Sequence, residues 1–237
     1  MSGGDRGVKW VRRGLKVFVA VLIFGLCVWW GTRIKQVFSG VEVWQPKLIL
    51  DAGHGGEDGG AISLSGEKES EINLSVTLKL ENLLAFLGDP ALLMRDTDIS
   101  LHDADSVTLR EKKVSDLKNR VRIAGEYPAA VLVSIHQNSY PEQKYYGTQV
   151  FYAPTNGSEQ LAQVVQQAMR KYLQPENKRT EKKIPDNVYL MNHIGNTAIL
   201  VECGFLTNPE EEQLLQQESY QRKVALVLGS TLTENIC

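Results

Sequence analysis

Three short apolar runs in this chain each lead into a residue able to bind or serve a metal. Leu48–Leu50 leads into Asp51 and, past Ala52 and Gly53, into His54; Ala129–Ile135 leads into His136; Ala198–Val201 leads into Glu202. Runs of this length, rich in Leu, Ile and Val and closed by Gly or Asn, read as buried strands of an α/β sheet. The carboxyl ends of such strands collect the active site. Two histidines and a carboxylate delivered to one sheet edge have little use in packing, so the pattern points to an enzyme.

Between these runs the apolar spacing changes to three and four residues. Ile72, Val76, Leu80, Leu83, Leu84 and Leu87 predict a helix over Ser70–Leu87, stopped by Gly88 and Pro90. Ser106–Tyr127 reads as a second helix with Leu109, Leu117, Val121 and Ala124 facing inward, and Ser158–Leu173 as a third. Further strands are expected at Lys47–Asp51, Ala91–Met94, Ala129–His136, Thr148–Tyr152, Val188–Met191 and Ala198–Val201. Gln174–Pro185 reads as an exposed charged loop. Asn208 caps a helix with Pro209 at its first position, and Gln221–Leu232 closes the chain. The expected fold is α/β: one domain with a central, mostly parallel or mixed sheet flanked by helices.

The charge of −2 over 237 residues and 43% apolar content suit one sizeable core and give no electrostatic footprint for nucleic acid. The three cysteines make no disulfide framework. Cys203, at a strand end, reads as buried and inert, because burial raises a thiol's pKa.

Val17–Trp30 is apolar apart from Gly25 and follows Lys9, Arg12, Arg13 and Lys16. It falls short of the roughly 20 residues of a full span, although tilt, snorkelling of Lys16 and Gly31–Thr32 can extend it. The basic flank predicts a cytoplasmic N-terminus and an exported remainder. A cleaved signal peptide is the rival, but Trp29-Trp30 is no small-residue cleavage site. The expected organisation is a cytoplasmic basic segment 1–16, a transmembrane or signal-anchor segment 17–32, a stalk 33–46 and a catalytic domain 47–237.

Glycines flank His54 in Asp51-Ala52-Gly53-His54-Gly55-Gly56, so the backbone can turn there and expose the imidazole. Glu69 and Glu71 stand at the start of the first helix, where the helix dipole favours a carboxylate without any function; Glu71 fits that reading. Two histidines, one glutamate and an open fourth position form a usual catalytic zinc set. Glu202 is then the candidate general base. His102 and His193 lack this context and read as loop residues, with His193 near enough to line the cleft.

Three strings occur in order: Leu48-Ile49-Leu50-Asp51-Ala52-Gly53-His54-Gly55-Gly56; Ser134-Ile135-His136-Gln137-Asn138; and Leu200-Val201-Glu202-Cys203-Gly204-Phe205-Leu206-Thr207-Asn208-Pro209. Together they resemble the zinc-dependent N-acetylmuramoyl-L-alanine amidases of bacterial cell walls, the type 3 amidase family, from about Lys47 to the C-terminus. The resemblance implies Zn2+ on His54, Glu69 and His136, with Asn73 selecting Glu69 over Glu71, and Glu202 as catalytic glutamate. Arg95 and Arg120 match recurring family positions whose roles are ion pairing or substrate contact. Cys203 stands where many relatives carry an aliphatic residue, and Gln137 where a small or polar one is usual. The bare catalytic layout resembles the spore-cortex type that prepares muramic-lactam. The implied substrate is peptidoglycan, cut between the lactyl group and L-alanine, with a possible activating protein partner. A zinc carboxypeptidase acting on stem peptides is the alternative. Ile99–Ser106 and Asn177–Lys183 are the candidate partner loops, and Cys237 has an open pairing state.

Overall fold

The computed structural model describes residues 10, 15–16, 18–30 and 44–236. The chain divides into two units at Trp44/Gln45. In the first, residues 18–30 are helical with exposed side chains. Among the described residues no helix is long and apolar enough to cross a membrane. Lys9, Arg12, Arg13, most of the expected stalk and Cys237 lie outside the described residues.

The second unit is one α/β domain. Its strands are β1 (Leu48–Ala52), β2 (Leu92–Leu93), β3 (Val131–Asn138), β4 (Gln149–Tyr152), β5 (Lys182–Lys183) and β6 (Ala198–Phe205). Its helices are α1 (Glu69–Phe86), α2 (Leu109–Glu126), α3 (Ser158–Tyr172), α4 (Tyr189–His193), α5 (Pro209–Leu215) and α6 (Glu218–Ile236). The sheet is mixed, in the order β2-β1-β3-β6-β4-β5. β2, β1, β3 and β6 run parallel, and β4 lies antiparallel to β6.

Alternation along the strands divides the core between two faces. Leu48, Leu50, Val133, Ile135, Ile199 and Val201 pack on α1, α3 and α6 through Ile72, Val76, Leu80, Val165 and Leu228. Ile49, Leu132 and Leu200 face Met94, Ala124, Leu190 and Met191 on the other side. Each such fully buried side chain contributes about 1.5–3 kcal/mol. The expected apolar stripe of α1 is realised from Ile72 to Leu84, but Leu87 lies past the helix end and is exposed; the helix ends before Gly88, whose φ of 92° suits glycine.

Several elements depart from the sequence reading. Val188–Met191, expected as a strand, overlaps α4: a short apolar run does not distinguish a strand from a buried turn of helix, and Leu190 and Met191 fill the core from it. α2 starts at Leu109 rather than Ser106, because Thr108 and Glu111 form a capping box. Leu109 is 71% exposed instead of inward, and the buried residues of α2 are Asp116, Arg120 and Ala124. The stretch expected as an exposed loop holds β5, with Asn177 and Ile184 buried.

β3 and β6 both run past the expected ends, to Asn138 and Phe205. Their register puts His136 beside Glu202 and then Asn138 beside Phe205, so β6 carries one extra residue in between.

Candidate metal centre

β1 ends at Ala52, and the next two residues turn the chain off the sheet. His54 takes a left-handed backbone (φ 62°), the only non-glycine to do so among the described residues. That costs energy for an L-residue, so something must hold it. Two buried guanidiniums do. Arg95 donates from Nε to Ala52 O at 2.8 Å and from Nη2 to Gly53 O at 3.1 Å and Ser70 O at 2.9 Å. Arg120 donates from Nη1 to Ala52 O at 3.0 Å and from Nη2 to His54 O at 2.7 Å.

Arg120 is itself bracketed by Asp51 and by Asp116, whose Oδ2 accepts from Nε at 2.7 Å. Ser134 Oγ donates to the second Asp51 oxygen at 2.6 Å. Burial alone would raise the Asp51 pKa; the Arg120 charge and the Ser134 bond reverse that and hold it low. Arg120 is raised by the same two carboxylates against its burial. The ion-pair reading is realised in Arg120, whereas Arg95 binds backbone carbonyls and has Asp98 only at 4.0 Å.

The metal-ligand candidates converge. His54 hangs from this turn, Glu69 opens α1, and His136 stands near the end of β3. One ligand atom from each lies within 4.8 Å of the others, a group able to hold a metal ion. Glu69 Oε1 faces His136 Nδ1 at 2.9 Å, and Oε2 faces His54 Nε2 at 3.2 Å. The carboxylate also accepts from Ala61 N at 2.9 Å, Gln137 N at 3.2 Å and Asn73 Nδ2 at 3.2 Å. Burial raises its pKa, but the two imidazoles more than offset that and keep it ionised. Burial also disfavours a charged His54, yet hydrogen bonds to Asp58 and Glu69 lift it to about 9. Gly53 makes room for the arrangement: a Cβ there would stand closer than 3.0 Å to the His136 ring.

Glu202 lies across the β3–β6 ladder from His136, about 4.8 Å away between strands. Its Oε2 is buried without a hydrogen-bond partner. Burial is the main cause of a pKa raised to about 7; Glu69 adds to it, and the two histidines oppose it. Such a carboxyl can take or give a proton near neutrality.

The remaining candidates fall elsewhere. Glu71 is exposed and pairs with Lys68 at 3.7 Å. His102 Nδ1 lies 2.9 Å from Ser100 Oγ in its loop. His193 stacks on Tyr189 and meets Tyr189 O at 2.7 Å. It precedes the first residue of β6 and so belongs to the edge opposite Glu202, not to the cleft. Cys203 is buried, which pushes its thiol up to about 12. Sequence reasoning missed Asp58, which meets His54 Nδ1 at 3.0 Å and Lys113 at 3.2 Å. Its place four residues after His54 in a glycine-rich turn was the available signal.

Residues 48–232 match the family described as N-acetylmuramoyl-L-alanine amidase. The germination-specific N-acetylmuramoyl-L-alanine amidase of Bacillus subtilis is 32% identical over 229 residues, covering 92% of this chain and 90% of its own. The N-acetylmuramoyl-L-alanine amidase AmiA of Escherichia coli is 28% identical over 77% of this chain and 73% of its own. Among solved structures, the CwlD amidase from Clostridioides difficile, determined in complex with the GerS lipoprotein, has a TM-score of 0.75 and 37% identity. That match covers 79% of this chain and 96% of the solved one.

Two substitutions test this geometry. Arg120→Met leaves Asp51 buried without its cation and should cost about 3–5 kcal/mol, read by urea unfolding; a loss below 1 kcal/mol would mean that the carbonyls carry the turn without it. Gly53→Ala should keep the circular dichroism of the parent while weakening zinc binding about tenfold or more, as disturbed ligand orientation does. Unchanged affinity would show that His136 can swing aside.

Proposed function

This chain belongs to the N-acetylmuramoyl-L-alanine amidase family, and we propose that it hydrolyses the amide joining the lactyl group of N-acetylmuramic acid to L-alanine in peptidoglycan. The observation that carries the reading is the juxtaposition of the His54, Glu69 and His136 ligand atoms with the unpartnered Glu202 oxygen. Two imidazoles and a carboxylate with an open fourth position fit zinc. The germination-specific relative supports spore-cortex peptidoglycan, where removal of the stem peptide precedes muramic-lactam formation, as the substrate form.

Zinc held by His54, Glu69 and His136 would supply Lewis acidity toward the attacking water and the scissile carbonyl. Glu69 contributes the anionic ligand, fixed by Asn73 and the Ala61 and Gln137 amides. Glu202 accepts the proton of the attacking water at Oε2. It then returns that proton to the alanine nitrogen as the amide breaks. The buried, partner-free oxygen makes both transfers direct, without a competing protein donor.

The basic flank and apolar run support 17–32 as an anchor between a cytoplasmic 1–16 and an exported stalk and catalytic domain, 33–46 and 47–237. In that organisation the enzyme acts outside the cytoplasm at the membrane surface. The solved complex of the CwlD amidase with a lipoprotein supports a membrane-associated protein partner here too.

The zinc-loaded full chain, incubated with spore peptidoglycan, should release intact stem peptides beginning with free L-alanine, and chelation should abolish the release. Mass spectra showing cuts between amino acids would instead mean a peptidase. Glu202→Gln should bind zinc normally and lose at least about a thousandfold in kcat, combining acid and base roles. The group must be ionised to start, so kcat/KM should fall as pH falls through its pKa. A bound dication lowers the metal-free value of about 7, placing that limb below neutrality.

Metal uptake carries a further signature. With its pKa near 9, metal-free His54 holds a proton at pH 7.5 that a metal must displace. Zinc binding should therefore release protons, seen by calorimetry in buffers of differing ionisation enthalpy, and its apparent affinity should rise with pH until about 9. No buffer dependence would exclude a protonated His54.

A further inference from the structure

The extra residue in β6 has an effect beyond the ladder. His136 and Asn138 are two apart on β3 and share a face. Their partners Glu202 and Phe205 therefore share that face as well. Phe205 thus emerges on the Glu202 side, about 7 Å further along the ladder, two rises of about 3.3 Å with the extra residue taken up by the bulge.

Phe205 carries a guanidinium. The Arg179 head lies 4.7 Å over its ring, and Arg179 Nε donates to Tyr146 O at 2.9 Å. The loop beneath is rigidly tied. Asn177 Oδ1 accepts from Arg179 N at 2.9 Å, and its Nδ2 donates to Thr148 O at 2.9 Å. A Cβ at Gly147 would collide with that buried amide. Arg179 is therefore held at its ring face, its Nε and its backbone.

Its outer edge is not held. Among the described residues, the two terminal nitrogens of Arg179 make no hydrogen bond or ion pair. The buried carboxylate that feels its charge, Glu211, already accepts from Phe205 N at 2.8 Å and Gly147 N at 2.9 Å. Lys178 and Lys144 line the same groove with Tyr145 and Tyr146. A planar two-donor edge, fixed in advance in a cationic groove, matches a carboxylate. Fixing it beforehand lowers the entropy lost on binding.

We propose that Arg179 is a specificity-determining residue that receives the first free carboxylate along the stem peptide, on the residue after L-alanine. The assignment rests on the amidase reading. That residue is linked onward through its side-chain carboxyl, which leaves its α-carboxylate free two residues from the scissile bond. Two extended residues reach about 7 Å, matching the advance of about 7 Å along the ladder from Glu202 to Phe205, over which the Arg179 head lies.

The test compares two muramoyl peptides that differ only in that α-carboxyl, free in one and carboxamide in the other, on the zinc-loaded full chain. The free acid should have a KM about ten- to a hundredfold lower, with similar kcat, as expected for a charge-assisted hydrogen bond. Arg179→Ala should raise the free acid's KM to that of the amide and leave the amide within about twofold, and Arg179→Lys should restore part of the preference. Equal KM values on the unmodified chain would overturn the assignment without any variant. So would an Arg179→Ala loss that is the same for both substrates, since a cation that only covers Phe205 makes no such distinction. If the chain cuts neither peptide, the amidase reading fails, and calorimetric binding of the two peptides still decides whether Arg179 prefers the acid.

Discussion

At the turn after β1 the carbonyls of Ala52, Gly53 and His54 all accept from Arg95 or Arg120, and Gly53 O also accepts from Asn73 Nδ2. Buried acceptors left unpaired cost several kcal/mol together. The two guanidiniums turn that liability into the device that fixes His54 in its left-handed conformation. They are charges in a core, and Asp51 and Asp116 make them tolerable. Removing any one of these side chains exposes the others to the low dielectric, so the turn, the arginines and the aspartates stand or fall together.

That dependence explains why α2 faces inward with Asp116 and Arg120 rather than with leucines. Its role is electrostatic support for the β1 turn, and apolar packing is left mainly to α1, α3 and α6. The sheet thus has apolar core on both faces, the larger share against α1, α3 and α6, and one polar corner that sets the metal ligands. Glu69 belongs to both. It sits at the positive end of α1, whose apolar stripe is core, and its oxygens gather the two histidines.

How much of this could be read beforehand follows from what periodicity encodes. The strands ending at His54, His136 and Glu202 were legible because burial on both faces demands continuous apolar runs, and the residues after them are chemically conspicuous. α1 was legible from its stripe. α4 was not, because five residues cannot show a period. The inner face of α2 was misread, because the spacing of its leucine and valine says nothing of a partner network 69 positions away at Asp51. The β6 bulge did leave a trace in Gly204, since glycine inside a strand marks irregular pairing. Asp58 and Arg179 depend on loop closure, which no local pattern records.

The antiparallel setting of β4 separates two duties along the sheet. Parallel neighbours β1, β3 and β6 need crossover helices, which lock their ends to the whole fold. β4 instead enters from the segment 139–148 at the site edge and pairs Gln149 with Glu202. Chain length in the exposed part of that segment, 139–144, is free to change without moving a metal ligand, since surface connections tolerate insertion far better than paired strands do. The fold therefore has a natural graft point, at which selection or an engineer can exchange what the enzyme recognises while inheriting its chemistry intact.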